Sequence, residues 1–256
     1  MLRIFYADLR NTLHNRGFLG CCFGMGVYML FSAALLWVVL HVFLEEGTLI
    51  GEDILDSYDS LAIFLITGGS LAVFSGDYTG GIIRNKLISG AKRRDIAISA
   101  ITCGGLIGVL LCIVYVIAGV VMVPIFTEGL MTLRVSEVAD VFLVFTLASM
   151  AVGAFSTTLV LVLGGSKASY VVGLLMAFFL KIANIEVCEK LYPEKGLCTL
   201  QGAKLFLYRA FDRFVPYSYF SLMTRWKFTD YLIGSLCLIL LSYIIGIVLF
   251  QKKEIK

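Results

Sequence analysis

Long stretches without a single Asp, Glu, Lys or Arg constrain this chain more than any other feature. Residues 17–44, 60–76, 96–127, 141–166, 168–180 and 231–251 contain none. Crossing a bilayer takes roughly 20 apolar residues, with a range of about 17 to 25. Most of the runs meet that length. The run 168–180 stops at Lys181, and it spans only if Lys181 sits near an interface and snorkels, so that residues 182–185 complete the helix. Apolar residues make up 59% of the chain and charged residues 15%, where a soluble domain carries about a quarter charged. Lipid is therefore the expected solvent for most of the chain. The expected fold class is an all-α membrane protein, one transmembrane domain over 1–256. Its six transmembrane helices are placed at about 18–42, 58–76, 96–125, 140–164, 168–186 and 231–250. Glycines inside the runs fit membrane helices, and Gly104 and Gly108 have the small-xxx-small spacing that allows close helix approach. The first run is too long for a cleavable signal peptide, and no small-residue cleavage site follows it.

Charge between the runs predicts orientation. Arg3, Arg10 and Arg16 precede the first span, and Arg84, Lys86, Lys92, Arg93 and Arg94 lie between the second and third. Lys167 follows the fourth span, and Lys252, Lys253 and Lys256 follow the sixth. The segment after the first span is acidic instead, with Glu45, Glu46, Glu52, Asp53 and Asp56. Lys and Arg concentrate in short cytoplasmic loops, so both termini are expected in the cytoplasm of a multi-pass cell-membrane protein. The stretch from Lys181 to Asp230 is basic yet falls outside in this arrangement, as long segments can.

Three segments are neither span nor simple loop. Leu2, Phe5, Tyr6, Leu9 and Leu13 form one stripe, which predicts an N-terminal interfacial helix over 2–16. Between glycine breakers, Ile82, Ile83, Leu87 and Ile88 form a short apolar stripe flanked by Arg84, Asn85 and Lys86. Such a helix suits docking to a cytosolic partner, or it marks topology and nothing more. Between spans five and six, Leu207, Tyr208, Phe211, Phe214 and Val215 share a face, opposite Lys204, Arg209, Asp212 and Arg213. Pro216 ends that stretch, which predicts an external amphipathic segment on, or dipping into, the outer leaflet. Cys188 and Cys198 lie in the same external region, either as a disulfide closing a short loop or as two free thiols.

Several chemistries lack their residues. No GxxxxGK[ST] loop, HExxH or GxSxG occurs, and His14 and His41 are the only histidines. The expectation is no catalytic site, metal or cofactor on this chain. A net charge of +3 points to no nucleic-acid partner. Few ionisable groups fall within the spans, which weighs against a proton-coupled pump or an ion channel.

The run GGIIRNKLISGAKRRDIAIS resembles the loop between spans two and three of bacterial permeases of the ABC type-2 exporter family. The matching residues are Ile83, Arg84, Asn85, Lys86 and Leu87, then Gly90, then Arg93 and Arg94. The layout is similar as well: an N-terminal interfacial helix, six spans, and an elaborated external segment before the last. The resemblance implies a permease subunit that pairs with a second, identical or related, permease. Cytosolic ABC ATPase subunits carrying ATP and Mg would bind beneath. The loop helix would then be a cytoplasmic coupling helix, with Ile83, Arg84, Asn85, Lys86, Leu87, Ile88, Arg93 and Arg94 as ATPase-coupling residues. With few polar residues in the spans, the expected cargo is an amphipathic or hydrophobic peptide, lipid-like molecule or drug. The alternative is a secondary transporter or channel acting without an ATPase. Faces of spans two and five are expected to line the pathway.

Overall fold

A computed structural model describes residues 1–43, 49–127, 131–193, 198, 200–220 and 225–253. Among these there is no β-strand. The helices are α1 (Leu2–His14), α2 (Arg16–Val38, continued by a π-turn Val39–Phe43), α3 (Gly51–Asp56), α4 (Tyr58–Thr79), α5 (Ile82–Ile88), α6 (Arg93–Thr127), α7 (Val135–Leu163), α8 (Lys167–Leu191), α9 (Gly202–Phe214) and α10 (Phe228–Lys252). An all-helical solution follows from the sequence, because a chain in hydrocarbon must satisfy its backbone within each crossing segment.

Six helical stretches are long and apolar enough to cross a membrane: 16–42, 51–79, 93–127, 136–163, 167–191 and 228–252. They correspond one to one with the expected spans. The second begins earlier than expected, because the acidic stretch Glu52–Asp53–Asp56 coils into α3 directly before α4. Glu52 Oε1 accepts from Thr132 N at 2.7 Å and Leu133 N at 2.6 Å, which ties α3 to the α6–α7 connection.

The crossings alternate in direction. The starts of α2, α6 and α8 therefore gather with the ends of α4, α7 and α10, and the first and last described residues, Met1 and Lys253, lie at this same end. It is called the termini end below, and the other the opposite end. Asn15 separates α1 from α2: its extended backbone breaks the helix, and its side chain accepts from Gly17 N at 2.8 Å.

The centre of the molecule is the α6–α7 pair. A Cβ on Gly108 would lie 2.0 Å from the Ser149 carbonyl oxygen, and one on Gly153 2.2 Å from that of Gly104. The small-xxx-small pair is thus a true backbone contact. Tyr58, Tyr115, Phe145 and Phe220 stack beside it, with Tyr58 and Tyr115 centroids 4.0 Å apart. Several buried hydroxyls pair with one another or with carbonyls, as in Tyr58–Ser149 at 3.0 Å and Tyr115 to Leu55 O at 2.6 Å. The second stretch, 51–79, is far more buried within the chain than α8. α8 has a broad exposed apolar face, including Val171, Leu175 and Phe179, while α4 is largely enclosed.

The fifth crossing is longer than the charge pattern suggested. Lys181 does not interrupt it, and α8 continues to Leu191. Lys181 pairs with Asp59, the second residue of α4, at 2.5 Å and donates to the Asp59 carbonyl at 3.0 Å. The carboxylate neutralises the lysine's charge in place.

Candidate functional site

The loop helix expected between spans two and three is α5. Gly81 enters it with φ of 71°, a left-handed turn open to glycine at no steric cost, and Gly90 leaves it with φ of 88°. The eight residues expected to act together there separate into two groups. Ile83 is buried, Leu87 packs on the core, and Lys86 and Arg93 make internal bonds. Arg84, Asn85, Ile88 and Arg94 face outward, with Ile88 75% exposed. One side of the helix is thus used to hold it, and the other remains free.

The holding side depends on residues that the sequence reading did not single out. Lys86 forms an ion pair with Asp8 of α1, and Asp8 is only 2% exposed. The other oxygen of Asp8 accepts from Ser99 Oγ of α6 at 2.5 Å. Next to this pair Asn11 donates to Asp77 of α4 at 2.6 Å. Four elements, α1, α4, α5 and α6, are therefore fastened at one point. A buried ion pair with its lone pairs filled is a demanding arrangement, and removing one partner leaves an uncompensated charge. The available clue was Asp8 itself, a lone acid in a segment otherwise carrying Arg3, Arg10 and Arg16.

α1 leaves part of its apolar stripe uncovered by the rest of the chain. Asp8 and Thr12 are its buried residues, while Leu2 and Tyr6 are largely exposed. The apolar residues Phe5 and Leu9 pack on the core from the flank.

Arg93 and Lys253 finish the same end of the bundle. The Arg93 guanidinium donates to the carbonyls of Gln251 (3.1 Å) and Lys253. The Lys253 ammonium donates to Val162 O at 2.7 Å. Each basic side chain so satisfies carbonyls that a helix C-terminus leaves without partners.

At the opposite end the segment before α10 enters the bundle. Past α9, a 3-10 turn at Pro216–Ser218 wedges between α7, α8 and α10, with Tyr217, Tyr219 and Phe220 buried. Tyr217 reaches the level of Phe155, Met176 and Leu238, near the middle of α8 and α10. Gly234 makes room, because a Cβ there would lie 2.0 Å from the Tyr219 hydroxyl oxygen. Above the turn a polar cluster seals the segment. Asp212, 4% exposed, accepts from Tyr192 at 3.0 Å and Trp226 Nε1 at 2.9 Å, and Arg213 pairs with Asp230 at 2.8 Å. Burial and the Asp212 carboxylate push the Tyr192 hydroxyl up to about 12. Asp212, opposite the apolar stripe of α9, is buried, and Phe206, Leu207 and Phe214 of α9 are exposed.

Cys188 and Cys198 are both free thiols here. Cys188 Sγ accepts from the Arg225 guanidinium at 3.2 Å, and Cys198 Sγ donates to Lys190 O at 3.4 Å. Among the described residues no group of His, Cys, Asp and Glu is arranged to hold a metal ion. No protein-family model matches this chain, and no curated protein matches it either.

Proposed function

We propose that the chain is the transmembrane permease subunit of an ATP-driven exporter of the ABC type-2 kind, with its termini end in the cytoplasm. The observation that carries this reading is the presentation of α5. It is a short helix between two membrane-crossing helices, fixed from behind by Ile83, Leu87 and the Lys86–Asp8 pair, with Arg84, Asn85, Ile88 and Arg94 directed outward. A lever that passes motion from an ATPase to the bundle needs that combination of a rigid base and a free face. Motion at α5 would reach α1, α4 and α6 together through Asp8, Asp77 and Ser99.

The cargo class follows from the walls. The open faces of α2 and α8 are apolar. An amphipathic or hydrophobic molecule suits such surfaces, whether peptide, lipid-like molecule or drug. A second permease subunit would cover part of those faces and form the pathway. The inserted 3-10 turn at Pro216–Ser218 would close that pathway on the opposite side.

Ile88→Asp is the direct test. Ile88 is 75% exposed, so the variant is expected to fold and insert as the parent does. It should no longer co-purify with the partner ATPase, and cargo-stimulated ATP hydrolysis should fall at least tenfold. Retention of both in Ile88→Asp would remove α5 as the docking element. Cargo movement by the chain alone in liposomes, without ATP, would favour the secondary transporter or channel instead.

A further inference from the structure

Beside α5 lies a cleft of about 440 Å³ between the end of α4, the α7–α8 turn and the end of α10. Among the described residues its lining carries two cationic side chains, Arg84 and Lys253, and no carboxylate. Gly164 and Gly165 form its floor at φ of 88° and 65°, and a Cβ on either would strike Lys253 or Tyr78. Ser166 makes no side-chain bond to the first turn of α8, which leaves N–H groups of that turn at the cleft edge.

We propose that this cleft binds the phosphate of an anionic phospholipid whose acyl chains lie along the outer faces of α8 and α10. Three crossing helices end together at the cleft, which puts it at headgroup level. At 1.5 Å per residue, the exposed Val171 of α8 and Val248 of α10 lie about 8 Å along their helices from it, at the depth of the first acyl carbons. Basic pockets between membrane helices on the positively charged side are the usual setting for acidic headgroups.

Lys253 supplies the second argument. Its ammonium is partly withdrawn from water, against carbonyls of α7 and the Tyr78 ring 5.4 Å away. Burial holds its pKa below that of an ordinary lysine. The described contacts give it dipoles but no counter-charge, and Arg84 is exposed. A phosphodiester between the two would supply one negative charge and acceptor oxygens to both. The site shares Arg84 with the outward face of α5, but it needs only the bilayer, so lipid titration without an ATPase tests it by itself.

The test is titration of the detergent-purified full chain with dioleoylphosphatidylglycerol, dioleoylphosphatidylcholine or inorganic phosphate, read by native mass spectrometry and thermal unfolding. The anionic lipid should bind about tenfold or more tightly than the zwitterionic one. Arg84→Gln and Lys253→Gln should each weaken it by about tenfold, while Lys92→Gln, exposed and outside the cleft, should leave it unchanged. Arg84→Gln should melt as the parent does without lipid, which separates lost binding from lost fold. Full binding by Arg84→Gln would overturn the site, and so would an equal loss in Lys92→Gln, which would mean diffuse charge. Equal protection by inorganic phosphate would make the ligand a free anion and overturn the lipid assignment.

Discussion

At Gly108 the position of a missing Cβ is only 2.0 Å from the Ser149 carbonyl oxygen, and at Gly104 it is 1.9 Å from the Thr157 hydroxyl. No rotamer change relieves the first clash, since the obstacle is backbone. Helices in lipid gain little from the hydrophobic effect on meeting, so close backbone contact and dispersion carry the association. Gly108→Ala should therefore separate α6 from α7 and cost about 1–3 kcal/mol, the range for overpacking. Gly26 in α2 has nothing within 4 Å of its would-be Cβ, and Gly26→Ala should be neutral or slightly stabilising through helix propensity. Thermal unfolding of the two purified variants checks this; equal melting temperatures would mean that the α6–α7 approach contributes little. The spacing of Gly104 and Gly108 was visible in the sequence. Its partners, Ser149, Gly153 and Thr157, were not, because which face of α7 meets α6 is settled by packing rather than by spacing.

Elements show the same division between what a pattern conveys and what packing decides. The six crossings were legible because a run of apolar residues has one dominant outcome in lipid. The amphipathic elements were legible as helices, but the inward turn of particular polar residues was not. In water a polar side chain faces out, and a stripe of Leu and Phe marks the buried side. In α1 and α9 the buried residues include Asp8, Thr12 and Asp212, and Leu2, Tyr6, Phe206 and Leu207 lie outside. With hydrocarbon as a neighbour, an apolar outer face has no cost, and a carboxylate is steadied by an internal cation or donor. Lys86 is 78 residues from Asp8, a separation at which no sequence period operates. That pair has a measurable consequence for α5. Asp8→Asn removes the negative charge opposite Lys86 and should cost roughly 2–3 kcal/mol, somewhat less than for a fully enclosed pair because Lys86 retains some exposure. Loss at the pair should appear locally, as hydrogen exchange at residues 82–88 accelerated by about a hundredfold, with α6 and α7 protected as before. Unchanged exchange over α5 would show that Ile83 and Leu87 alone hold it.

Across the whole molecule, charge sorts the two ends. The termini end carries Arg3, Arg10, Arg84, Lys92, Arg94, Lys167 and Lys252 exposed to solvent, against Asp8 and Asp77 held inside. The opposite end also carries basic residues from Lys181 onward, which in sequence conflicted with an external location. Lys181 pairs with Asp59, Lys190 with Glu186, Arg213 with Asp230, and Arg225 approaches Asp212 at 3.8 Å, while Lys204, Arg209 and Lys227 are exposed. Orientation follows the Lys and Arg of short loops near span ends, and a long segment between spans escapes that bias. The expected arrangement is then the termini end in the cytoplasm and Cys198 outside. Cys198 and Cys237 are the exposed cysteines, but Cys237 lies on the crossing helix α10, away from water. A membrane-impermeant maleimide added to intact cells should therefore label Cys198 and spare Cys237. Cys188, half-buried and covered by Arg225, should react more slowly, and Arg225→Ala should speed it. Labelling of Cys198 only after permeabilisation would invert the molecule and place α5 on the side without ATP, which would end the exporter reading with it. If an oxidant abolished labelling of both Cys188 and Cys198 and a reductant restored it, the two thiols would be a bridge in waiting across the Tyr192 turn.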